Sequence, residues 1–157
     1  MKENFLKSMR RLVYPVTIAS SKLMSKKYAI TVSSVTSLSL DPPALLVCIN
    51  EDSSFSQCIF KDSYININFL NYRQKEIAVI CSSSEKKSER FFLNDWEYDQ
   101  NGVPFLKGCE SIAFCQVYSI NEFATHMVVA LRVIDIRFNE KISSKPLLYS
   151  NGNYIKL

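Results

Sequence analysis

Apolar and hydroxyl side chains alternate along residues 31–40, and six of these side chains are Ser or Thr. The stretch ends at Asp41-Pro42-Pro43 and is followed by a second apolar run at residues 44–49. Alternation predicts a half-buried strand, and the two prolines predict a turn before the next strand. A buried hydroxyl without a partner costs about 1–3 kcal/mol, so we expect the hydroxyl row to face either water or a polar ligand.

Further strand patterns occur at residues 13–19, 28–40, 64–70, 111–120 and 126–138. Two short strands are predicted within residues 146–157, on either side of the turn Asn151-Gly152. Residues 20–27 are predicted to form a polar turn, and Asn66 and Asn68 to share one face of their strand. Strands joined by short turns favour an antiparallel meander over βαβ units.

Three segments have helical patterns. Residues 5–13 are amphipathic and are expected to pack on the sheet rather than to lie on a membrane. Ser54, with Gln57 three residues later, predicts a capped helix that continues to Asp62. A third helix is predicted at residues 75–81.

Residues 82–89 are charged and predict a solvated loop, and Phe91, Phe92 and Trp96 predict an aromatic part of the core. We find no linker and no internal repeat, so residues 1–157 are predicted to form a single domain. Six or more strands with two or three helices indicate a closed or nearly closed antiparallel β-barrel with peripheral helices.

Composition narrows the possible functions. The three glycines are isolated, which excludes a dinucleotide-binding fingerprint and a Walker A loop, because both need clustered glycines. The single histidine excludes a multi-histidine metal centre, and no metal site is predicted. No apolar run approaches the ~18 residues of a membrane span, and no signal peptide is recognised. The five cysteines contain no Cys-x-x-Cys pair and favour the reducing cytoplasm.

Motifs along nearly the whole chain resemble the flavin reductase family, whose members have an FMN-binding split-barrel fold. The most specific motif is the hydroxyl row with its double proline, residues 31–43. The others follow in the family's order at residues 5–11, 16–18, 46–50, 67–70, 102–108, 126–129 and 146–149. The resemblance implies a mainly β protein, an antiparallel split β-barrel with two or three peripheral helices.

The resemblance also implies an activity, cofactors and partners. The protein is expected to be a homodimer that binds FMN, or FAD, and reduces it with NADH or NADPH. A separate monooxygenase is the expected recipient of the reduced flavin. Neither nucleic acid nor a membrane is expected as a partner.

By the same resemblance, the residues assigned to the flavin are Thr31, Ser33, Ser34, Val35, Thr36 and Ser39. The residues assigned to its ribityl and phosphate side are Cys48, Ile49, Asn50, Ser53 and Ser54. Ser53 and Ser54 also lie at the positive end of the predicted helix, where an anion is favoured, although a plain capped helix explains them equally well. His126 is the expected catalytic residue and would position the nicotinamide; the alternative is a purely structural histidine.

Three positions depart from the family pattern. Phe55 stands where relatives commonly have Thr, Val79 and Ile80 where many have Arg, and Pro15 where a glycine is usual. The first two departures remove phosphate contacts. The candidates to replace those contacts are Lys86, Lys87 and Arg90.

The residues suit hydride transfer, because the cofactors carry that reaction and the protein aligns two rings. The chain has a single histidine and no paired catalytic carboxylates, which argues against a hydrolase. An alternative with the same fold is a flavin-binding sensor or carrier without useful reductase activity. A nucleic-acid-binding barrel is disfavoured, because the strand aromatics Phe114 and Tyr118 are not flanked by basic residues, and the net charge of +4 is diffuse.

Overall fold

The computed structural model describes residues 1–92, 96–141 and 145–156, and strands dominate it. The α-helices are α1 (Lys2–Arg10) and α2 (Lys75–Ser82). The strands are β1 (Tyr14–Pro15), β2 (Thr17–Leu23), β3 (Lys26–Val32), β4 (Thr36–Leu40), β5 (Pro43–Asn50), β6 (Tyr64–Phe69), β7 (Trp96–Tyr98), β8 (Pro104–Leu106), β9 (Ser111–Phe123), β10 (His126–Phe138), β11 (Leu147–Ser150) and β12 (Asn153–Lys156). Short 3₁₀ helices lie at Ser54–Cys58, Tyr72–Gln74 and Lys87–Glu89. The mainly β class is therefore confirmed.

Seven antiparallel strands form the main sheet, in the order β3-β2-β6-β9-β10-β5-β4. The chain passes from β3 at one edge to β4 at the other edge through residues 33–35 alone. A flat sheet of this size would be about 29 Å across, whereas the link from Val32 to Thr36 spans at most about 14 Å. The sheet must therefore curl until its two edges meet.

One hydrophobic core fills the inside of the curled sheet. It draws on six strands, and its members include Ala19, Val32, Val47, Ile49, Ile65, Ala113, Val117, Val129 and Leu131. Because both halves of the sheet contribute to a single cluster, the strands wrap around it as in a barrel. The expected antiparallel split β-barrel is confirmed.

A second core lies outside the barrel, where α2, the β7–β8 hairpin and β11 cover β2, β3 and β6. Asn68 joins the hairpin to the sheet: its Nδ2 donates to the carbonyl oxygen of Ile18 at 2.8 Å, and its Oδ1 accepts the N–H of Leu106 at 2.8 Å. Asn66 donates to Asp99 Oδ2 at 2.9 Å. The two asparagines share a strand face, as predicted, and that face is buried.

The predicted turn at residues 20–27 is wrong, because β2 continues to Leu23 and the turn occupies only the two residues before β3. Ser20 and Ser21 are buried within the strand. Their hydroxyls donate to carbonyl oxygens of neighbouring strands, Ser20 to Pro104 at 2.6 Å and Ser21 to Tyr64 at 2.7 Å. A serine with such a partner can be buried, so polarity alone misplaced the turn.

Two other predicted elements are shorter than expected. The strand predicted at residues 28–40 is two strands, because the chain crosses there from one edge of the barrel to the other. The helix predicted from Ser54 to Asp62 is the 3₁₀ helix Ser54–Cys58, with Ser53 at the cap position and no side-chain cap. The expected capping box is wrong, because Ser54 already lies inside the helix.

The aromatic cluster is only partly as predicted. Phe91 packs on Trp96, with ring centroids 4.9 Å apart, and both side chains pack against the outer core. Phe92 is 84% exposed and takes no part in it. Phe92 follows Phe91 directly, so the two side chains point in different directions.

The helix α1 has no buried residue, and Phe5 on its apolar face is 65% exposed. Two described contacts link the end of this helix to the fold: the N–H of Asn151 donates to the carbonyl oxygen of Arg10 at 2.8 Å, and the hydroxyl of Tyr14 donates to Met9 Sδ at 4.0 Å. The prediction that this helix packs on the sheet is therefore wrong for a single copy of the chain. No described helix is long and apolar enough to cross a membrane.

Most of the remaining predicted elements are confirmed, whereas the strand predicted at residues 13–19 is divided into β1 and β2, which belong to different sheets. The helix α2 and the strands β5, β6, β9 and β10 lie where the sequence patterns place them. The strands β11 and β12 flank Asn151 and Gly152, which have φ angles of 48° and 80°, as a two-residue hairpin turn requires. Residue 157, the last of the predicted hairpin, lies outside the described residues.

Candidate functional site

The hydroxyl row divides into two groups according to its hydrogen bonds. Thr31 Oγ1 donates to the carbonyl oxygen of Ala78 at 2.6 Å, which fastens α2 to β3. Ser34 Oγ donates to the carbonyl oxygen of Cys48 at 2.9 Å and accepts the N–H of Cys48 at 3.2 Å. Both hydroxyls therefore form hydrogen bonds within the fold. These two residues would support a ligand only indirectly, by holding the backbone in place.

The hydroxyls of Ser33, Thr36 and Ser39 have no hydrogen bond to any described residue. Thr36 is exposed and the other two are half-buried. Thr36 and Ser39 lie on the edge strand β4, which pairs only with β5, and Ser33 lies in the link that precedes β4. Val35 packs against the barrel core and fixes the start of this strand. The hydroxyl of Ser37, which is outside the assigned set, also has no described partner, so four hydroxyl groups of the row remain available at the edge of the barrel.

The end of β5 presents alternate residues to opposite sides of the sheet. Ile49 is buried in the barrel core, so only its backbone can face a ligand. Cys48 is half-buried and Asn50 is exposed, and both lie on the outer side. Asn50 Oδ1 accepts the N–H of Asp52 at 2.9 Å, which shapes the turn that leads to Ser53.

Ser53 carries a buried hydroxyl that has no partner among the described residues. It precedes the 3₁₀ helix Ser54–Cys58 but does not cap it. The N–H groups of Ser54 and Phe55 have no acceptor within a helix that begins at Ser54. Leaving a buried hydroxyl unpaired costs about 1–3 kcal/mol. This turn thus carries three unpaired donors, which makes it a candidate site for the ribityl chain or phosphate of a flavin.

His126 begins β10 directly opposite Asn50 of β5. The ring is exposed, and Nδ1 lies 2.9 Å from Thr125 Oγ1. The other ring nitrogen has no hydrogen bond to the described part of the chain. The carbonyl oxygen of Thr125 accepts the N–H of Glu51 at 3.0 Å, which ties the start of β10 to the turn before Ser53.

Most of the predicted site residues are therefore brought together. The contact between Ser34 and Cys48 joins the hydroxyl row to β5, and the pairing of Asn50 with His126 joins β5 to β10. Hydroxyl donors, free backbone N–H groups and an imidazole follow one another along this edge. Thr31 differs from the rest, because its hydroxyl faces α2.

The structure shows the surroundings of two residues that depart from the family pattern. Phe55 is buried in the barrel core, so packing accounts for it. Val79 is exposed on α2 and lines a cavity of about 450 Å³ that Lys86 also lines. The rest of the lining is Lys75, Glu76, Ile80 and Glu89. Of the three candidate replacements, Lys86 is the one that lies beside Val79.

Arg90, another candidate replacement, is only 7% exposed. Its Nη1 donates to the carbonyl oxygen of Ala29 at 2.6 Å, and its Nη2 donates to that of Ser83 at 2.7 Å. Desolvation by burial lowers the pKa of this guanidinium. Arg90 therefore anchors the segment after α2 to β3 and does not offer its charged end to an exposed phosphate.

A cavity of about 280 Å³ lies beside Ser39 and is also lined by Tyr118 and Arg132; no sequence pattern predicted it. The guanidinium of Arg132 lies 5.4 Å from the ring centroid of Tyr118, and that of Arg137 lies 5.5 Å from Phe114. No basic residue flanks these aromatic residues along their own strand, yet an arginine lies beside each ring. The basic neighbours come from the adjacent strand, and only the register between β9 and β10 places them.

Within residues 1–92, 96–141 and 145–156, no group of His, Cys, Asp and Glu is arranged to hold a metal ion. All five cysteines are unpaired. Burial raises the pKa of four of them to about 12; these are Cys58, Cys81, Cys109 and Cys115. These four thiols remain protonated at neutral pH and act as packing groups.

Known proteins resemble this chain over almost its whole length. A family model described as "Flavin reductase like domain" matches residues 9–157. The reductase component of FADH(2)-dependent resorcinol hydroxylase from Rhizobium sp. is 29% identical over 154 residues, which cover 97% of this chain and 85% of that protein. FMN reductase (NADH) RutF from Stutzerimonas stutzeri is 25% identical over 154 residues, which cover 98% of this chain and 87% of that protein.

The fold is shared with a crystal structure of a flavin reductase domain protein from Arthrobacter sp. FB24. The TM-score is 0.91 at 25% sequence identity, and the match covers 100% of this chain and 96% of that one. The chain belongs to the flavin reductase-like domain family.

Proposed function

We propose that this protein is an NAD(P)H-dependent flavin reductase, which transfers a hydride from the nicotinamide of NADH or NADPH to FMN or FAD. The observation that carries this function is the row of free hydroxyls that leads, through the Ser34–Cys48 contact, to the unpaired buried hydroxyl of Ser53. The row belongs to a chain of the flavin reductase-like family. When bound, the flavin and the nicotinamide supply the hydride chemistry.

The roles of the protein's residues follow from what each can donate. Ser33, Thr36 and Ser39 bind the polar edge of the flavin with their free hydroxyls. The backbone of residues 48–50 lies along the flavin, and Ser53 and Ser54 hold its ribityl or phosphate oxygens. N–H groups that lie near the flavin's pyrimidine edge would stabilise negative charge on the reduced ring.

His126 positions the nicotinamide. Its ring is exposed beside Asn50, and one nitrogen is held by Thr125 while the other is free. Hydride transfer requires the two rings to be aligned and needs no proton from this histidine. We therefore assign His126 to binding and orientation.

The active form is a homodimer. Beyond Arg132, β10 pairs only with β9, so residues 133–138 leave one strand edge open. Ile136 and Phe138 on this segment are 56% and 69% exposed. An open edge with exposed apolar side chains is normally covered in a folded protein. A second copy of the chain, which would also cover the apolar face of α1, is the partner we propose.

The whole chain, residues 1–157, acts as one domain in the reducing cytoplasm, where its five unpaired cysteines are stable as thiols. A separate monooxygenase consumes the reduced flavin. This last role is supported by the relative whose name describes the reductase component of a hydroxylase. Both FMN and FAD are candidates, since the names of the relatives include both.

Steady-state oxidation of NADH and NADPH by the purified protein, with and without added FMN or FAD, tests the function. We expect oxidation that depends on added flavin. His126→Ala should raise the nicotinamide KM or lower kcat by about tenfold, with the flavin Kd unchanged. If neither nicotinamide is oxidised with either flavin, a flavin-binding protein without reductase activity is the better description. Unchanged kinetics in His126→Ala would remove this residue from the site.

A further inference from the structure

Three cations from separate segments of the chain converge on the ring of Tyr72. The guanidinium carbon of Arg73 lies 5.6 Å from the ring centroid, and the Nζ atoms of Lys145 and Lys156 lie 5.8 and 5.9 Å from it. We call these three residues the basic cluster. They come from the loop after β6, from the residues before β11, and from β12, so the fold assembles a cluster that the sequence does not show.

The charge of the basic cluster is not neutralised by the described part of the protein. None of its three members forms an ion pair with a described residue. The nearest described carboxylate contact is that of Glu110, whose Oε1 accepts the backbone N–H of Lys145 at 3.2 Å. Three positive charges beside one ring repel one another, and an anion bound beside them relieves this repulsion.

The phenol of Tyr72 reports the same positive potential. Its oxygen accepts a hydrogen bond from Arg73 Nε at 3.2 Å. That bond and the charges of Arg73, Lys145 and Lys156 lower the pKa of the phenol, because they favour its anionic form. The hydrogen bond from Arg73 is the largest of these causes, and the two lysines add to it.

We propose that the basic cluster is a binding site for the oxyanion of a phosphate or diphosphate group. Its size favours a compact anion over the extended acidic surface of a protein, since all three cations surround a single ring. A guanidinium can bind two phosphate oxygens at once, and each ammonium can add a further charged contact. The aromatic ring holds the cations in place through their contact with its face.

Two sources could supply such an anion. The diphosphate of a nucleotide substrate, FAD or NAD(P)H, is one source, and free phosphate or pyrophosphate is the other. The first source rests on the proposed reductase function, whereas anion binding itself does not.

Titration of the full chain with inorganic pyrophosphate at low ionic strength, followed by calorimetry, tests the site. The double variant Lys145→Gln/Lys156→Gln removes two cluster charges. The matched control Lys61→Gln/Lys141→Gln removes two charges from exposed lysines elsewhere. We expect the pyrophosphate Kd to rise at least about tenfold in the first variant and to stay within about twofold of wild type in the control.

Wild-type protein that does not bind pyrophosphate, or binding that is equally strong in the cluster variant, would overturn the proposal. If the double variant does not fold, as judged by its thermal unfolding, Arg73→Gln provides the same comparison with one charge removed. The titration involves no turnover, so its failure would leave the reductase function untouched.

Kinetic measurements then distinguish the sources. A raised KM for FAD or NADH in the cluster variant, with kcat and the KM for FMN unchanged, assigns the site to the diphosphate of those nucleotides. Unchanged KM values for all three, together with lost pyrophosphate binding, assign it to a free phosphate anion. Both results support an oxyanion site, and they differ only in what fills it.

Discussion

The hydroxyl of Ser34 fastens the link between β3 and β4 to the backbone of Cys48 in β5. It donates to the carbonyl oxygen of Cys48 at 2.9 Å and accepts its N–H at 3.2 Å. Ser34 follows the edge strand β3, whereas Cys48 lies in β5 beside the opposite edge strand. The contact extends the pairing of β4 with β5 into the link that connects the two edge strands, so one side chain serves both the fold and the geometry of the site.

Replacing Ser34 should destabilise the protein. In Ser34→Ala both backbone groups of Cys48 lose their partner, and we expect the free energy of unfolding to fall by about 1–3 kcal/mol. Denaturant unfolding measures this change. The control is Ser33→Ala, whose hydroxyl has no described partner and whose loss should change stability by less than about 0.5 kcal/mol. Equal stability of the two variants would mean that the Ser34–Cys48 contact does not stabilise the fold.

Replacing Ser53 should weaken flavin binding without lowering the stability of the protein. Ser53→Ala removes a buried hydroxyl that has no described partner, so stability without flavin should stay constant or rise by up to about 1 kcal/mol. Flavin affinity should fall by about tenfold, since a ligand hydrogen bond is lost. Urea unfolding and a flavin fluorescence titration measure the two quantities.

Ser56→Ala is the matched control for Ser53, because its hydroxyl donates to the carbonyl oxygen of Ser53 at 2.8 Å. This variant should lose stability and keep its flavin affinity. A Ser53→Ala protein that is destabilised yet binds flavin normally would show that the hydroxyl of Ser53 has a structural role instead.

A charge on the open edge of β10 should break the homodimer. Ile136→Lys places an ammonium on the segment that pairs only with β9, and burying it against a second copy is unfavourable. Sedimentation should show a dimer for wild type and a monomer for this variant. Met24→Lys, at the exposed tip of the β2–β3 hairpin, should remain a dimer. A wild-type protein that sediments as a monomer at all concentrations would contradict the proposed assembly.

Stability should fall at alkaline pH because of the buried thiols. Burial raises the pKa of Cys58, Cys81, Cys109 and Cys115 from 9.0 to about 12. Above pH 9 the unfolded chain loses these protons while the folded protein keeps them, so rising pH favours unfolding. Each thiol contributes a loss of up to about 1.4 kcal/mol per pH unit, and this stabilisation is complete only below pH 9.

Urea unfolding at a series of pH values measures how much the free energy of unfolding falls per pH unit. In Cys115→Ala this fall should be smaller by the contribution of one thiol. A free energy of unfolding that stays constant above pH 9 would show that the thiols ionise in the folded protein as easily as in the unfolded chain.

The sequence predicted the parts of the fold that depend on local pattern. Alternation placed Asn66 and Asn68 on one face, and Asn151-Gly152 marked the last hairpin. The sequence pattern could not distinguish Ser34, whose hydroxyl is bonded to Cys48, from Ser33, whose hydroxyl has no described partner, because both are serines in one row. That difference is set by strand register, as is the contact of Arg132 with Tyr118. Ser20 was misplaced for the same reason, since its acceptor at Pro104 lies 84 residues away in the chain.

The most direct test of the account is the affinity for flavin when the free hydroxyls of the row are removed. Flavin fluorescence titrations with FMN and with FAD should give a Kd at least about tenfold higher for Thr36→Val/Ser39→Ala than for wild type. Ser37→Ala, a neighbouring hydroxyl outside the assigned set, should leave the Kd unchanged. If wild type binds neither flavin, or if the double variant binds as tightly as wild type, the hydroxyl row is not the flavin site.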